Sequence, residues 1–435
     1  MSIRIVKADG AAEYAALERM EARADARDRE TEETVREILR AVRENGDDAL
    51  RAYGLRFDGG LPERMELGRA DFEAALAAAN PAFRGALERA AANIRRYHER
   101  QICEGYELKA EGATLGQTVR GLARVGLYVP GGTAAYPSTV LMNGIPAKLA
   151  GVSELIVVTP PARVGAGPAA RYEANADILA AACVAGVDRL FLTGGAQAVA
   201  ALACGTESIP RADKIVGPGN IFVATAKRLL YGKVDIDMIA GPSEILVLAD
   251  ADASPAYIAA DMLSQAEHDR NAAAVLLTTS ADTAAATAAE LERRLCGLPR
   301  SEIARASLED FGLIVVCRNA DEMLALADRI APEHLEILLA DPLSYVARIK
   351  NAGSVFCGPY APEPLGDYLA GTNHVLPTAG AARFASPLGV YDFVKRMSYT
   401  HYTREALAAA RDDIITIAEA EGLDAHADAI RARFA

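Results

Sequence analysis

Residues 189–205 read RLFLTGGAQAVAALACG. An apolar, β-rich run meets a pair of glycines, and an alanine-rich helical segment follows at once. Strand, glycine turn and helix in succession form the unit from which a mainly parallel sheet, covered by helices on both faces, is assembled. The unit recurs outward in both directions. VGLYVPGG (125–132), ELIVVTPP (154–161) and KIVGPGN (214–220) are further apolar runs ending in glycine or proline, with helical stretches such as ANADILAAACVAG (174–186) between several of them. A second series comprises EILVLAD (244–250), AAVLLTTS (273–280), FGLIVVC (311–317), HLEILLA (334–340) and SVFCGPY (354–360). It alternates with helical stretches such as SPAYIAADMLSQAEHD (254–269) and DEMLALADRIA (321–331). Two α/β units meeting near Gly241 are expected.

Both ends of the chain read as helical. ETEETVREILRAVRENGDDALRAYGLRFDG (30–59) carries apolar residues at helical spacing, with Gly46 and Gly54 as stops, and Pro81 opens a further helix after Asn80. His98 lies in a charged helical neighbourhood and reads as a surface residue. Beyond about residue 380 the pattern turns helical again, ending in two short helices broken at Gly422.

A length of 435 residues exceeds one comfortable core, so two large domains with smaller additions are expected. A formal charge of −13 speaks against a nucleic-acid surface, which needs clustered Lys and Arg. No apolar run is long enough for a membrane span, and the start of the chain has no long apolar stretch of the kind that directs secretion. The six cysteines, at 103, 183, 204, 296, 317 and 357, show no C-x-x-C spacing. Cys183 and Cys317 sit in apolar runs and read as packing sites. A reduced, cytoplasmic protein is the expectation.

Three glycine turns follow strands in the first unit: YVPGGTAAYPST (128–139), TGGAQA (193–198) and VGPGN (216–220). Glycine lets a backbone approach a ligand closely, and a helix starting just after offers free N–H groups to phosphate. Neither G-x-G-x-x-G nor a P-loop motif is present, so tight connections and a dinucleotide site both fit.

Six histidines occur, at 98, 268, 334, 374, 401 and 426. In DMLSQAEHDR (261–270), read as a helix, Gln265 and His268 stand one turn apart on one side. RIAPEHLEILLA (329–340) sets Glu333 beside His334 at the mouth of a strand, a pairing suited to general acid–base work. PLGDYLAGTNHVLPT (364–378) places Asp367 and His374 in a loop punctuated by glycine and proline, and AEAEGLDAHADAI (418–430) brings Glu419, Glu421 and His426. Each stretch alone also fits an ordinary polar turn or a solvated helix face. Gln265, His268, Asp367 and His426 together offer two nitrogens and two oxygens, a set zinc accepts, although no short zinc signature such as H-E-x-x-H occurs.

Eight blocks in this order resemble the histidinol dehydrogenase family over roughly residues 25–430: GLYVPGG, TGGAQA, VGPGN, DMIAGPSEILVLAD, DMLSQAEHD, APEHLEI, GDYLAGTNHVLPT and AEAEGLDAHADAI. The resemblance implies two Rossmann-like three-layer domains of aldehyde-dehydrogenase-like type with helical N- and C-terminal extensions. It implies oxidation of L-histidinol to L-histidine through L-histidinal, with two NAD reduced. One zinc per subunit is then held by Gln265, His268, Asp367 and His426, the last contributed by the neighbouring subunit of a homodimer. His334 resembles the base that takes the hydroxyl proton, and Glu333 the group that activates water at the aldehyde stage. Ser243, His374 and Glu421 resemble substrate contacts, alongside Gln265, His268, Glu333, His334, Asp367 and His426. Tyr128, Gln197 and Asn220 match the NAD-binding positions.

The domains expected are an N-terminal extension (1–25), a discontinuous substrate and metal domain (26–120 with 241–380), an inserted NAD-binding domain (121–240) and a helical segment reaching the partner subunit (381–435). Neither nucleic acid nor membrane is an expected partner. A dehydrogenase of the same family acting on another polar alcohol would keep the metal set and change contacts such as Ser243 and Glu421. A zinc hydrolase would use Glu333 as base but has no need of three glycine turns, and a non-catalytic binding protein has no need of the base. Ligands of open α/β sheets usually gather at the carboxyl ends of strands, yet Glu333 and His334 precede theirs.

Overall fold

In a computed structural model, the structure describes residues 3–21, 29–131, 136–239 and 241–435. Strand β1 (Arg4–Lys7) and helix α1 (Ala12–Glu21) open the chain. Helix α2 (Arg29–Tyr53), strand β2 (Glu66–Leu67) and helices α3 (Arg69–Ala78) and α4 (Pro81–His98) follow. Gly46, at φ 49° and ψ −126°, breaks α2 into two runs, and the Asn80 side chain caps α4 at Ala82 N–H, both where the sequence pattern placed a break and a start. Strands β3 (Tyr106–Ala110) and β4 (Ala113–Gly121) then lead into the first α/β unit.

That unit runs β5 (Arg124–Tyr128), α5 (Pro137–Leu149), β6 (Glu154–Thr159), a small hairpin of β7 (Ala162–Val164) and β8 (Arg171–Glu173), α6 (Ala176–Ala185), β9 (Arg189–Leu192), α7 (Gly195–Cys204), β10 (Lys214–Val216), α8 (Ile221–Leu230) and β11 (Asp235–Ile236). The second runs β12 (Glu244–Ala249), α9 (Pro255–Ala266), β13 (Ala273–Thr278), α10 (Ala281–Leu295), α11 (Ser301–Phe311), β14 (Gly312–Val316), α12 (Ala320–Ile330), β15 (His334–Leu338), β16 (Ser354–Cys357) and α13 (Glu363–Tyr368). Strand β17 (Val394–Tyr402) and helices α14 (Arg404–Ala420) and α15 (Asp424–Arg431) close the chain.

The two large sheets share one plan. Their strand orders are β11-β10-β5-β6-β9-β2 and β1-β14-β13-β12-β15-β16. In each, the chain winds from a central strand to one side, then returns to that strand's other edge. All neighbours run parallel except β2, which is antiparallel to β9. Both faces are covered, as continuous apolar strands require. Val125, Leu155 and Val157 meet Leu141 of α5 and Ile178 of α6, while Ile156, Phe191 and Ile215 meet Val199 of α7. In the second unit Ile245, Leu276 and Ile314 pack on Met262 and Leu308, and Leu246, Leu277 and Val315 on Met323 of α12.

Three expectations need correction. Residues 26–120 were expected with the second unit, but Val35 and Ile38 of α2, Phe72 of α3 and Ile94 of α4 pack against the first sheet, and β2 joins its edge. The N-terminal stretch is not a simple extension either: β1 pairs in parallel with β14. An amphipathic pattern shows which face of an element is apolar, not which sheet covers it. Finally, the largely helical flanks contain a third sheet, β17-β4-β3, in which β17 pairs antiparallel with β4 along nine residues. Strands β3 and β17 are largely exposed and β4 between them is mostly half-buried, so backbone pairing holds the sheet and no apolar alternation announces it.

Helices α14 and α15 pack on each other and bury only Ala418 and Ala427 completely, leaving Ile417 and Leu423 exposed. The break between them at Gly422, φ 71°, is where the sequence placed it. Among the described residues no helix is long and apolar enough to cross a membrane.

Candidate active site

The second sheet reverses direction between β12 and β15, and the candidate site lies there, at the strands' amino ends. Glu244 begins β12 and His334 begins β15, paired with Ile245. The Glu244 peptide latches two neighbouring side chains. Its N–H donates to Glu333 Oε2 at 2.9 Å, and its carbonyl faces His334 Nδ1 at 3.0 Å. A carbonyl only accepts, so Nδ1 carries the proton and Nε2 keeps its lone pair. His334 is 4 % exposed, and Nε2 has no hydrogen-bond partner. Burial pulls its pKa down to about 4, the nearby His268 and His374 add to this, and the Glu244 carbonyl opposes it. The imidazole is therefore neutral, with its Nε2 lone pair uncommitted.

Two carboxyls face that nitrogen. Glu363 and Asp367, one turn apart on α13, place oxygens 3.9 and 4.0 Å from His334 Nε2. Glu363 is 3 % exposed; its N–H donates to Glu336 Oε1 at 2.7 Å, and Ser264 Oγ donates to its Oε2 at 3.4 Å. One ligand atom from each of His334, Glu363 and Asp367 lies within 4.8 Å of the others. Burial raises the Glu333, Glu363 and Asp367 carboxyls, and mutual repulsion raises Glu333 and Glu363 further. The buried Glu336 and the half-buried Asp261 form a second carboxyl pair, both raised first by burial and able to share one proton.

Gln265, on α9 and 1 % exposed, has a buried Oε1 with no partner. Helix α9 ends at Ala266, so His268 stands in the turn that follows and not on the helix, tied by its N–H to the Gln265 carbonyl at 3.1 Å. It is exposed, yet near enough to act electrostatically on His334 and Glu363. His374 is partly buried beside the Asp367 backbone, its pKa pulled to about 4 by burial. An orphaned amide oxygen, an imidazole lone pair and crowded carboxyls are each costly without a positive charge among them. The residues fit a divalent cation with nitrogen and oxygen ligands.

The loop that follows α13 and carries His374 is held by the first unit. Asn93 of α4 donates to Leu369 O at 2.7 Å, and Asn373 donates to Met142 O at 2.7 Å. His98, read from the sequence as a surface residue, is 0 % exposed: Nδ1 bonds Ile94 O at 2.9 Å and Nε2 meets Asn373 Nδ2 at 3.3 Å. Its neighbours in sequence are charged, but its own face of α4 points inward, against that loop.

The remaining expected residues do not all converge. Glu421, just past α14, and His426, on α15, are exposed and belong to no grouping of metal-type side chains among the described residues. Ser243 immediately precedes β12 and is half-buried. Tyr128 ends β5 and Asn220 follows β10, at the first sheet's own reversal, where dinucleotides bind in such folds, and Gln197 on α7 follows the carboxyl end of β9. The Tyr128 hydroxyl accepts from Gly195 N–H at 3.0 Å, and Gln197 Oε1 is buried without a partner. Asn220 Oδ1 is spent on capping α8, at Phe222 and Val223 N–H, both 3.1 Å. Residues 132–135 of the first glycine turn lie outside the described residues.

Sequence reasoning missed Glu363, Glu336, Asp261 and the Glu244 latch. It also missed the buried Lys227–Asp237 pair, which clamps the third glycine turn: Lys227 Nζ donates to Gly217 O at 3.0 Å and Gly217 N–H to Asp237 Oδ2 at 2.7 Å. Gly217, at φ 106°, passes so close to Tyr128 O that a Cβ would sit 2.1 Å from it. Only Glu363 left a signal, its helical spacing from Asp367.

A family model described as histidinol dehydrogenase matches residues 21–434. The histidinol dehydrogenase of Listeria monocytogenes serovar 1/2a is 52 % identical over 406 residues, 93 % of each chain, and that of Streptococcus mutans is 52 % identical over 405 residues, again 93 % of each. A crystal structure of histidinol dehydrogenase from Elizabethkingia anophelis superposes with a TM-score of 0.90 at 34 % identity, covering 100 % of this chain and 98 % of that one. With its paired sheets and the base–carboxyl cluster at their second reversal, the chain belongs to the histidinol dehydrogenase family.

Proposed function

We propose that this chain oxidises L-histidinol to L-histidine at one carbon, in two hydride transfers to NAD. The observation that carries the reading is the fixed tautomer of His334: Nδ1–H is committed to the Glu244 carbonyl, and the Nε2 lone pair faces the carboxyls of α13. Overall, one alcohol, one water and two NAD⁺ give one carboxylate, two NADH and three protons. His334 takes the hydroxyl proton as the first hydride leaves. Glu333, anchored to the N–H of Glu244, takes a proton from the water that adds to the aldehyde carbon, and the resulting diol loses the second hydride. Adjacent bases with separate anchors suit consecutive steps without movement of the substrate.

Gln265, His268, Asp367 and His426 of the partner subunit would hold one zinc ion. When bound, it supplies a fixed positive charge that orients the amino alcohol through its imidazole and amine. Tyr128, Gln197 and Asn220 would line the NAD site, where the cofactor supplies a two-electron acceptor. Gln197 Oε1 is a buried acceptor still without a donor, which supports that assignment. Ser243, His374 and Glu421 of the partner subunit would contact the substrate. The exposed tail supports a site shared in a homodimer, since α14 and α15 bury little against their own chain.

The test is stoichiometry. Zinc-loaded protein given limiting L-histidinol should form two NADH per molecule consumed, read at the nicotinamide absorption band. One NADH would mean the reaction stops at the aldehyde, and none would overturn the substrate assignment.

A further inference from the structure

We propose that Glu363 is the second negative charge of the metal centre, a positioning and charge-balancing residue outside the four-ligand set. The inference rests on the zinc reading above and deepens it. Of the four expected ligands, Gln265 and the two histidines are neutral, and Asp367 contributes one negative charge. A divalent cation held by that set would leave one positive charge uncompensated in a largely buried pocket. Of the other carboxyls nearby, Glu333 has its Oε2 latched to the Glu244 N–H and its task lies with water, while Glu336 is engaged by the Glu363 N–H and by Asp261.

Glu363 meets the geometric requirements. It sits one turn before Asp367 on α13, interacts with the Asp367 side chain, and places Oε1 3.9 Å from His334 Nε2. Its backbone is pinned by Glu336, and its Oε2 lies 3.4 Å from Ser264 Oγ, whose shorter bond goes to the Asp261 carbonyl. Ser264 is two residues from the end of α9, the helix that also carries Gln265. Among the described residues no Lys or Arg forms an ion pair with Glu333, Glu363 or Asp367. The acidic cluster is not the only pointer to a cation: His334 Nε2, buried and unpartnered, faces Glu363 and Asp367, and the buried Oε1 of Gln265 on α9 is also without a partner. Glu363 in its anionic form completes neutrality around the ion and keeps Asp367 turned toward it.

Zinc affinity of the full-length protein, measured by competition with a chromogenic chelator, tests this alongside thermal melting of the metal-free form. Glu363→Gln keeps the shape and removes the charge, so zinc should bind about 10- to 100-fold more weakly, the usual effect of losing an outer partner of a metal ligand. The metal-free variant should melt near the parent temperature, because the amide fills the same space as the carboxyl it replaces. Glu363→Asp keeps the charge and should bind zinc within a few-fold of the parent. Parent-like affinity in Glu363→Gln would overturn the inference and leave the zinc reading standing. So would equal losses in the Asp and Gln variants, or a metal-free Glu363→Gln protein that melts well below the parent, since each marks a structural role. A parent protein that binds no zinc would overturn the zinc reading itself and this inference with it.

Discussion

At the scale of single residues, the chemistry of His334 follows from one hydrogen bond. The imidazole is buried, so it stays neutral, and the Glu244 carbonyl decides which nitrogen is the base. His334→Ala should slow histidinol oxidation by about 10²- to 10⁴-fold, the usual worth of a positioned general base, while zinc content measured by atomic absorption stays at the parent level. Loss of metal in that variant would make His334 a ligand and not a base. Residue identities at this scale were mostly legible, because Glu333, His334, Asp367 and Gln265 stand out as polar groups in apolar or glycine-punctuated settings. His98 was not: its burial depends on which face of α4 meets the loop at Asn373, and charged neighbours in sequence mask it. Glu363 was passed over because a glutamate on a helix is ordinary until its surroundings exclude water.

Among the elements, the seam between α9 and β15 carries the pair of half-buried Asp261 and buried Glu336, and it makes stability depend on pH. Burial raises Glu336, with Asp261 beside it raising it further, so the folded chain keeps a proton that the unfolded chain releases above the ordinary carboxylate range near 4.5. The folded state therefore binds more protons, and this contribution is fully present in acid and lost as pH rises through neutral into the alkaline range. Glu336→Gln keeps an acceptor for Glu363 N–H and gains a donor for Asp261. Between pH 7 and 9 the metal-free parent should lose stability by up to about 1.4 kcal/mol per pH unit from this group, and the variant should lose less. Equal slopes in denaturant titrations of the two proteins would refute the shared proton. The strands and helices of both α/β units were legible from their apolar runs and turn residues. The β17–β4 pairing was not, since nine largely exposed positions 273 or more residues from their partners carry no periodic signal.

For the whole molecule, the question is where the tail goes. His426 and Glu421 lie on exposed helices that bury little of their own chain, and a two-fold dimer would carry them to the other subunit. Mixing two inactive variants tests this. When His334→Ala and His426→Ala chains are co-expressed, half of the dimers should be mixed and each should hold one intact site, restoring about a quarter of parental activity under random pairing. No recovery in purified mixed dimers would place His426 in its own subunit's site. The sequence by itself determined the alternation of strands and helices, the two units and most of the polar groups to which chemical roles are proposed, because apolar period, glycine turns and residue type are local properties. Only the tertiary structure decided that residues 29–98 cover the first sheet, that β1 completes the second, and that a loop of the second unit is held in place by the first. It alone showed which carboxyls lack a countercharge. Packing partners, burial and electrostatic neighbours are set by contacts between distant segments, and no local pattern records which segments will meet.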